Sequence, residues 1–274
     1  MERHLICIDG VHIHYRKIGQ GPLLFLLHPS PRSSKMYEGF MKILSDQFCI
    51  IAPDLPGYGF SDPLPNKVET VYDYMPTLNG FFSHFSAGSF QIYGSATGAQ
   101  LAIAYGLTHP DSVKCLYLDN AADFTDKQRN QILAGYFPDL SPNLEGGHLI
   151  KTWYHIRDSF LFFPWFDYKN GKRLINGLPP VSVLQECMLD YMLAGQNWDS
   201  AYKAAFGHEK AEQVQSLSCN VIIFRWVGGI MLEFVDQLLD NQFSSNITIE
   251  EIPPSMQERY EGMKKVFVKM QNSV

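Results

Sequence analysis

Apolar and polar residues alternate on both sides of Asp9-Gly10, in Leu5-Ile6-Cys7-Ile8 and again in His12-Ile13-His14-Tyr15. Period-two alternation around an Asp-Gly pair predicts a β-hairpin. Beyond it the pattern changes to short apolar runs separated by longer stretches of helical spacing. Strands are predicted at Leu23–Leu27, 49–52, 90–93 and 113–118. Helices are predicted at 34–48, where Met36, Phe40, Ile43 and Leu44 share a stripe, near 71–85, and at Thr97–Thr108, an Ala-rich run stopped by His109-Pro110. Strands alternating with helices of this length imply right-handed βαβ crossovers and a mostly parallel sheet.

This rhythm stops at about 121 and returns at about 219. The intervening stretch is helical and aromatic, with Tyr136-Phe137-Pro138 and then Trp153, Tyr154, Phe160, Phe162, Phe163, Trp165, Phe166 and Tyr168. Strands at 220–224 and Ile247–Ile252 and helices near 231–239 and 257–269 complete the chain. The expected organisation is a core of 1–120 and 219–274, with 121–218 inserted after the sixth strand as a helical cap. Open α/β sheets bind ligands at the carboxyl ends of their strands, so such a cap would enclose an apolar pocket there.

Composition narrows the classes. In 274 residues, 46% are hydrophobic and 18% charged, enough apolar material for a large core and too much for disorder. A net charge of −6 without a basic run argues against nucleic acid, whose binding depends on neutralising phosphates. Cys7, Cys49, Cys115, Cys187 and Cys219 are scattered and odd in number, as reduced thiols in a cytoplasmic protein would be. No signal peptide or membrane-spanning run is visible, and no metal-ligand spacing or dinucleotide-binding glycine motif. The expected partner is a small apolar organic substrate, with no cofactor, no metal, no nucleic acid and no membrane.

Three segments carry candidate chemistry. Leu27-His28-Pro29-Ser30-Pro31-Arg32-Ser33-Ser34 follows a buried strand, Asp54-Leu55-Pro56-Gly57-Tyr58-Gly59-Phe60-Ser61-Asp62 follows the next, and Tyr93-Gly94-Ser95-Ala96-Thr97-Gly98-Ala99 joins a strand to the Ala-rich helix. Together they resemble the α/β-hydrolase family: the first its His-Gly-x-Pro oxyanion loop, the second a loop-shaping turn, the third its Gly-x-Ser-x-Gly nucleophile elbow. The resemblance implies an α/β-hydrolase fold, a mostly parallel central sheet with an N-terminal antiparallel hairpin and a helical cap after the sixth strand. It also implies an oxyanion hole from the amides of Ser30 and Thr97.

Ala96, however, stands where the family places its nucleophile, and a methyl group attacks nothing. Ser95 is one residue early and should point elsewhere. The usual acid turn reads Arg225-Trp226-Val227-Gly228-Gly229-Ile230, with no carboxylate before Glu233. The usual histidine position, after the last strand, reads Ile252-Pro253-Pro254-Ser255-Met256-Gln257, and no histidine follows His208. A triad acts as a unit, so the loss of all three members suggests chemistry other than serine hydrolysis. The chain is also similar to an uncharacterised α/β-hydrolase subgroup in which the elbow's central residue is often histidine.

Backbone donors survive such losses and stabilise an enolate or alkoxide as well as a tetrahedral intermediate, each contributing about 3–4 kcal/mol. On a helix near 147–160, His148, Thr152, His155 and Ser159 share a face, making His148 and His155 candidate acid/base groups if that face looks at the elbow; the alternative is that each caps a helix end or sits at the surface. His28 is expected to brace the oxyanion loop and, with Ser95, Trp153, Tyr154, Phe163 and Trp165, to line the substrate site. Asp119, Asn120 and Asp123 follow the sixth strand, where some family members carry a relocated acid. The leading expectation is a cofactor-free, non-hydrolytic enzyme (lyase, cyclase or isomerase) acting on a small apolar carbonyl-bearing metabolite. The alternatives are an ester, lactone or thioester hydrolase in an inactive Ala96 form, and a non-catalytic binding protein.

Overall fold

The computed structural model describes residues 1–167, 172–173 and 177–272. The elements in chain order are β1 (Glu2–Ile8), β2 (Val11–Ile18), β3 (Leu23–Leu27), α1 (Glu38–Leu44), β4 (Cys49–Pro53), α2 (Met75–Phe85), β5 (Phe90–Ser95), α3 (Thr97–Thr108) and β6 (Val113–Asp119). Next come α4 (Asp126–Gly135), α5 (Gly147–Ser159), the two-residue strands β7 (Phe162–Phe163) and β8 (Lys172–Arg173), α6 (Val181–Ala194), α7 (Ser200–His208) and α8 (Ala211–Gln215). The chain finishes with β9 (Asn220–Trp226), α9 (Leu232–Leu239), β10 (Ile247–Ile252) and α10 (Met256–Asn272).

Eight strands form one sheet in the order β1-β2-β4-β3-β5-β6-β9-β10. The β1–β2 hairpin and the β2–β4 pair are antiparallel, and the other pairs are parallel. β3 and β5, the central strands, read Leu23-Leu24-Phe25-Leu26-Leu27 and Phe90-Gln91-Ile92-Tyr93-Gly94-Ser95 and are buried on both faces, as parallel strands covered by helices must be. One face packs Phe25, Ile92, Leu116 and Ile223 against α2, α3 and part of the insertion. The other packs Leu24, Tyr93, Tyr117 and Phe224 against α1 and α10 through Phe40 and Phe267.

Two predicted helices are shorter than their apolar pattern suggested. The one predicted over 34–48 is a 3₁₀ turn, Ser34–Tyr37, followed by α1, which stops at Leu44. There the amides of Gln47 and Phe48 both converge on the Leu44 carbonyl, 3.0 and 3.2 Å away. The one predicted near 71–85 also opens as a 3₁₀ turn, Val71–Tyr74, and becomes α-helical only at Met75-Pro76. Proline is tolerated in a first turn because those amides have no intrahelical partner. Tyr168, counted among the aromatics of the insertion, lies outside the described residues.

The turn after β4 is organised by one carboxylate. Asp54 is fully buried and its oxygens lie 2.8 Å from His14 Nδ1, 2.8 Å from the Ser34 amide, 2.5 Å from Ser34 Oγ and 3.0 Å from the Phe60 amide. Arg16 stands 3.8 Å away and also donates to Ser34 Oγ. β2, the 3₁₀ turn ahead of α1 and the 54–62 turn therefore meet at a single side chain. Gly59 is required in this turn, because at φ +55° a Cβ there would sit 2.2 Å from the carboxylate. Burial alone would raise the Asp54 pKa, but bonds from His14, Ser34 and Phe60 and the nearby His28 bring it from 3.8 down to about 2.

In the unfolded chain this carboxyl binds a proton below about 4, whereas the folded chain resists it down to about 2. The Asp54 contribution is therefore full above pH 4 and is lost as pH falls from 4 towards 2. Urea unfolding of Asp54→Asn should show a flatter stability profile over that window than the parent chain. Asp54→Ala should cost about 3–5 kcal/mol near pH 7, as when one partner of a buried pair is deleted.

Candidate functional site

At the carboxyl end of β5 the chain turns directly into α3 through Ala96, at φ 48° and ψ −112°. An L-residue rarely holds this conformation, and sterics explain why it does so here. A Cβ on Gly94 would lie 2.2 Å from the Gly98 carbonyl oxygen, and one on Gly98 would lie 2.1 Å from the Leu27 carbonyl oxygen. β5, α3 and β3 thus approach more closely than any side chain allows. The Ala96 amide is tied to the Asp119 carbonyl at 2.9 Å, and its own carbonyl accepts from Ala99 and Gln100 at 2.9 and 3.1 Å, starting α3. Ala96 itself is partly exposed at the sheet edge.

Ser95 does not share this apex. By strand alternation it lies on the face of Tyr93 and Asp119, buried, with Asn120 Nδ2 3.4 Å from its Oγ. Thr97 is the first residue of α3, where an amide has no intrahelical partner. Among the described residues neither the Thr97 amide nor the Ser30 amide donates to a protein acceptor. The 29–34 loop that carries Ser30 is held from two sides. The Leu55 amide donates to His28 Nε2 at 2.8 Å, leaving the proton on Nδ1, 3.0 Å from the Pro29 carbonyl. His28 was expected both to brace this loop and to line the site; buried with both nitrogens engaged and its pKa lowered chiefly by burial, it serves the first role. From the other side, Arg32 Nε and Ser33 Oγ donate to the buried Asp190 of α6 at 2.7 and 2.8 Å.

The late acid and histidine positions are filled by other residues. At the end of β9, Trp226 Nε1 donates to the Pro254 carbonyl at 3.2 Å, so the carboxyl end of β9 packs on the turn after β10. Arg259, in the first turns of α10, stacks its guanidinium 4.1 Å from the Trp226 ring centroid and donates through Nη2 to Asp119 Oδ2. Tyr93 donates to the same oxygen at 2.7 Å. Asp119, a possible relocated acid from the sequence, is therefore paired with an arginine, which cannot act as a base.

Of the two histidines on α5, His148 lies at the helix start and accepts the Asn143 amide on Nδ1 at 3.2 Å. His155 is buried about two turns further along α5, with Nε2 2.9 Å from Tyr191 Oη and, among the described residues, no protein partner for Nδ1. Burial, partly opposed by Asp158, pushes its pKa down to about 4, so it is neutral at pH 7. Trp165 meets its ring edge-on at 4.6 Å and donates Nε1 to the Tyr136 carbonyl at 2.8 Å. Phe163 packs with Met231 and Phe234. Trp153 is half-buried. Tyr154 departs from the expectation that it lines the site: it is exposed beneath Arg157, because α5 turns Thr152, His155 and Ile156 inward instead.

One histidine escaped the sequence reading. His208, at the end of α7, is buried with Nδ1 2.8 Å from Gln100 Oε1, one turn beyond Ala96 on α3, and Nε2 3.3 Å from Tyr72 Oη. Burial lowers its pKa to about 4. No local signal marks it, since only the packing of α7 on α3 brings it there. Among the described residues no three His, Cys, Asp or Glu side chains converge as a metal site, and no helix is long and apolar enough to cross a membrane.

A family model for the alpha/beta hydrolase fold matches residues 22–150. A curated uncharacterized hydrolase of Saccharomyces cerevisiae is 35% identical over 103 residues, 35% of this chain and 36% of that protein. A 2-(acetamidomethylene)succinate hydrolase of Mesorhizobium japonicum is 32% identical over 121 residues, 43% of this chain and 41% of its own. The chain thus spans well under half the length of these relatives. Among solved structures, an epoxide hydrolase from Vigna radiata superposes with a TM-score of 0.73 at 15% identity, covering 100% of this chain and 98% of that one. A serine-to-alanine mutant of a meta-cleavage product hydrolase from Pseudomonas fluorescens, complexed with acetates, superposes with a TM-score of 0.68 at 16% identity, covering 98% and 97%.

A strained non-glycine backbone costs about 1–3 kcal/mol, against about 0.4–1 kcal/mol of added unfolded-chain entropy for a glycine. Ala96→Gly should therefore raise stability by about 1 kcal/mol in a thermal melt. Gly98→Ala should lower it by at least about 2 kcal/mol, because the new methyl meets fixed backbone. A destabilised Ala96→Gly would contradict the strained elbow.

Proposed function

We propose that this chain, which has the α/β-hydrolase fold, binds a small, largely apolar, carbonyl-bearing molecule beside Ala96. The ligand's oxygen rests on the amides of Ser30 and Thr97. Residues 121–218 act as the cap over this site, and the reaction is non-hydrolytic and needs no cofactor. The observation that carries this reading is Ala96 itself. It keeps the strained backbone of a nucleophile elbow without supplying a nucleophile. Strain of this kind persists where the surrounding structure imposes it and often marks a working site. What the elbow and the loop beside it still offer is the amides of Thr97 and Ser30, donors of the kind that stabilise a carbonyl oxygen as it gains negative charge.

A lyase, cyclase or isomerase also needs a group to move a proton. His155 is the better supported of the two α5 histidines. It is neutral at pH 7, Tyr191 orients its ring, and its Nδ1 has no protein partner among the described residues. As a base it would take a proton α to the polarised carbonyl. The resulting enolate would be held by Ser30 and Thr97 and reprotonated elsewhere or collapsed with loss of a leaving group. His148, tied to the Asn143 amide at the start of α5, is less well placed for that role.

A second reading is favoured by the curated relatives, which are named as hydrolases. On that reading the chain is a hydrolase whose nucleophile position holds alanine, and restoring serine would restore turnover. Against it stand Arg259, bonded to Asp119, and the absence of a histidine after β10 to activate that serine.

The test is incubation of the protein with a metabolite extract, followed by mass spectrometry. The expected outcome is one carbonyl compound converted to an isomer or to fragments whose masses sum to the original. His155→Gln should slow the conversion by about 100-fold. Products that have gained one water would overturn the non-hydrolytic reading. Ala96→Ser should hydrolyse p-nitrophenyl acetate no faster than the parent chain, and saturable turnover by that variant would instead support the hydrolase reading.

A further inference from the structure

Ser30 carries two donors, and among the described residues neither has a protein acceptor. Its amide donates to no acceptor of the chain, and its hydroxyl is buried with no hydrogen-bond partner. The neighbouring hydroxyl is committed elsewhere: Tyr58 Oη accepts the Ala201 amide at 3.0 Å and lies 3.5 Å from the Trp198 carbonyl. Burial raises the Tyr58 pKa to about 12, and Ser30, close by but out of bonding geometry, opposes that rise. A hydroxyl taken out of water and given no partner calls for one from outside the chain.

α5 supplies a third unpartnered polar atom. His155 Nδ1 is buried without a hydrogen-bond partner among the described residues. Trp198 connects the two places, with its ring centroid 5.5 Å from that of His155 and its carbonyl beside Tyr58. When Nε2 donates to Tyr191 Oη, 2.9 Å away, Nδ1 presents a lone pair. Burial brings the pKa of this imidazole to about 4, which makes it a weak base. A proton beside a single carbonyl is too weakly acidic for such a base, whereas one flanked by two carbonyls is far more acidic.

Resting on the reading of the elbow as an oxygen-binding site, we propose that its ligand carries two oxygens in a 1,3 relation, as a β-dicarbonyl compound does. The first oxygen is received by the amides of Ser30 and Thr97, and the second accepts from the Ser30 hydroxyl. The proton on the carbon between the carbonyls passes to His155 Nδ1. The electron pair of that C–H bond spreads over both oxygens, and nothing is oxidised or reduced. Negative charge then develops at two places, and each needs a donor. A simple ketone would leave the Ser30 hydroxyl unpaired, and a site built to bond an oxygen discriminates against ligands that lack it.

Benzoylacetone and butyrophenone share one skeleton and differ by the second carbonyl oxygen. Titrated into the ¹⁵N-labelled parent chain at pH 7, both should shift the amides of Ser30 and Thr97. Benzoylacetone should bind at least about 10-fold tighter, as a hydrogen bond to a charged oxygen allows. Ser30→Ala keeps the amide and removes a hydroxyl that bonds nothing in the chain, so its circular dichroism spectrum should match the parent's. Its preference for benzoylacetone should fall below about 3-fold. Equal affinity of the parent chain for the two ketones would overturn the inference and leave the oxygen site standing, as would a preference that Ser30→Ala retains. Amides of Ser30 and Thr97 that respond to neither ketone would overturn the oxygen site and, with it, the selection of a second oxygen.

Discussion

Three backbone segments meet at the elbow with no room for a side chain between them. Gly94 faces the Gly98 carbonyl, and Gly98 faces the carbonyl of Leu27 at the end of β3, each too close for a Cβ. The residue between the glycines must then turn the chain from strand to helix within one step, and Ala96 does so at positive φ. Much of the candidate site follows from that approach. It sets where α3 begins, and so where the Thr97 amide points. It brings the end of β3 alongside, and with it the loop that carries Ser30. It also ties β6 to the elbow through the Asp119 carbonyl.

Buried carboxylates hold the loops around this point, and each joins segments distant in sequence. Asp54 joins the turn after β4 to β2 and to the 3₁₀ turn ahead of α1. Asp190 joins the 29–34 loop to α6, 157 residues away in the case of Ser33. Asp119 joins β6 to α10 through Arg259. Buried ion pairs add little net stability over an apolar core, but breaking one is costly. Their value here is positional: each fixes a loop whose backbone amides or carbonyls shape the elbow. An alanine at the apex leaves every one of these contacts in place, so the loss of a nucleophile need not loosen the site.

Period and punctuation made the sheet legible in the sequence. β3, α3 and β10 fall where apolar runs and the His109-Pro110 stop signal put them, and the glycine frame of 94–98 identified the elbow without coordinates. Helix ends were less legible. At α1 the stop depends on two amides competing for the Leu44 carbonyl, a detail no apolar stripe encodes. The partners of the site were not legible at all. Arg259, Asp190 and His208 carry no motif, and each reaches its contact only because helices distant in sequence pack together. The seven-residue spacing of His148 and His155 does put them on one side of α5, but spacing says nothing of depth. The helix start is exposed, with His148 only partly buried, whereas its middle is buried against Tyr191 and Trp165.

An elbow that binds a ligand's oxygen, as proposed above, must respond at its amides when such a ligand is added. The most direct measurement is a ¹⁵N–¹H amide titration of the labelled chain with benzoate, an apolar ring bearing a carboxylate in place of a carbonyl. The amides of Thr97 and Ser30 should move together along one saturable curve, with the largest shifts in the spectrum. Saturable binding that leaves both amides unmoved, or no binding up to millimolar benzoate, would contradict the claim and leave the elbow as inherited scaffold.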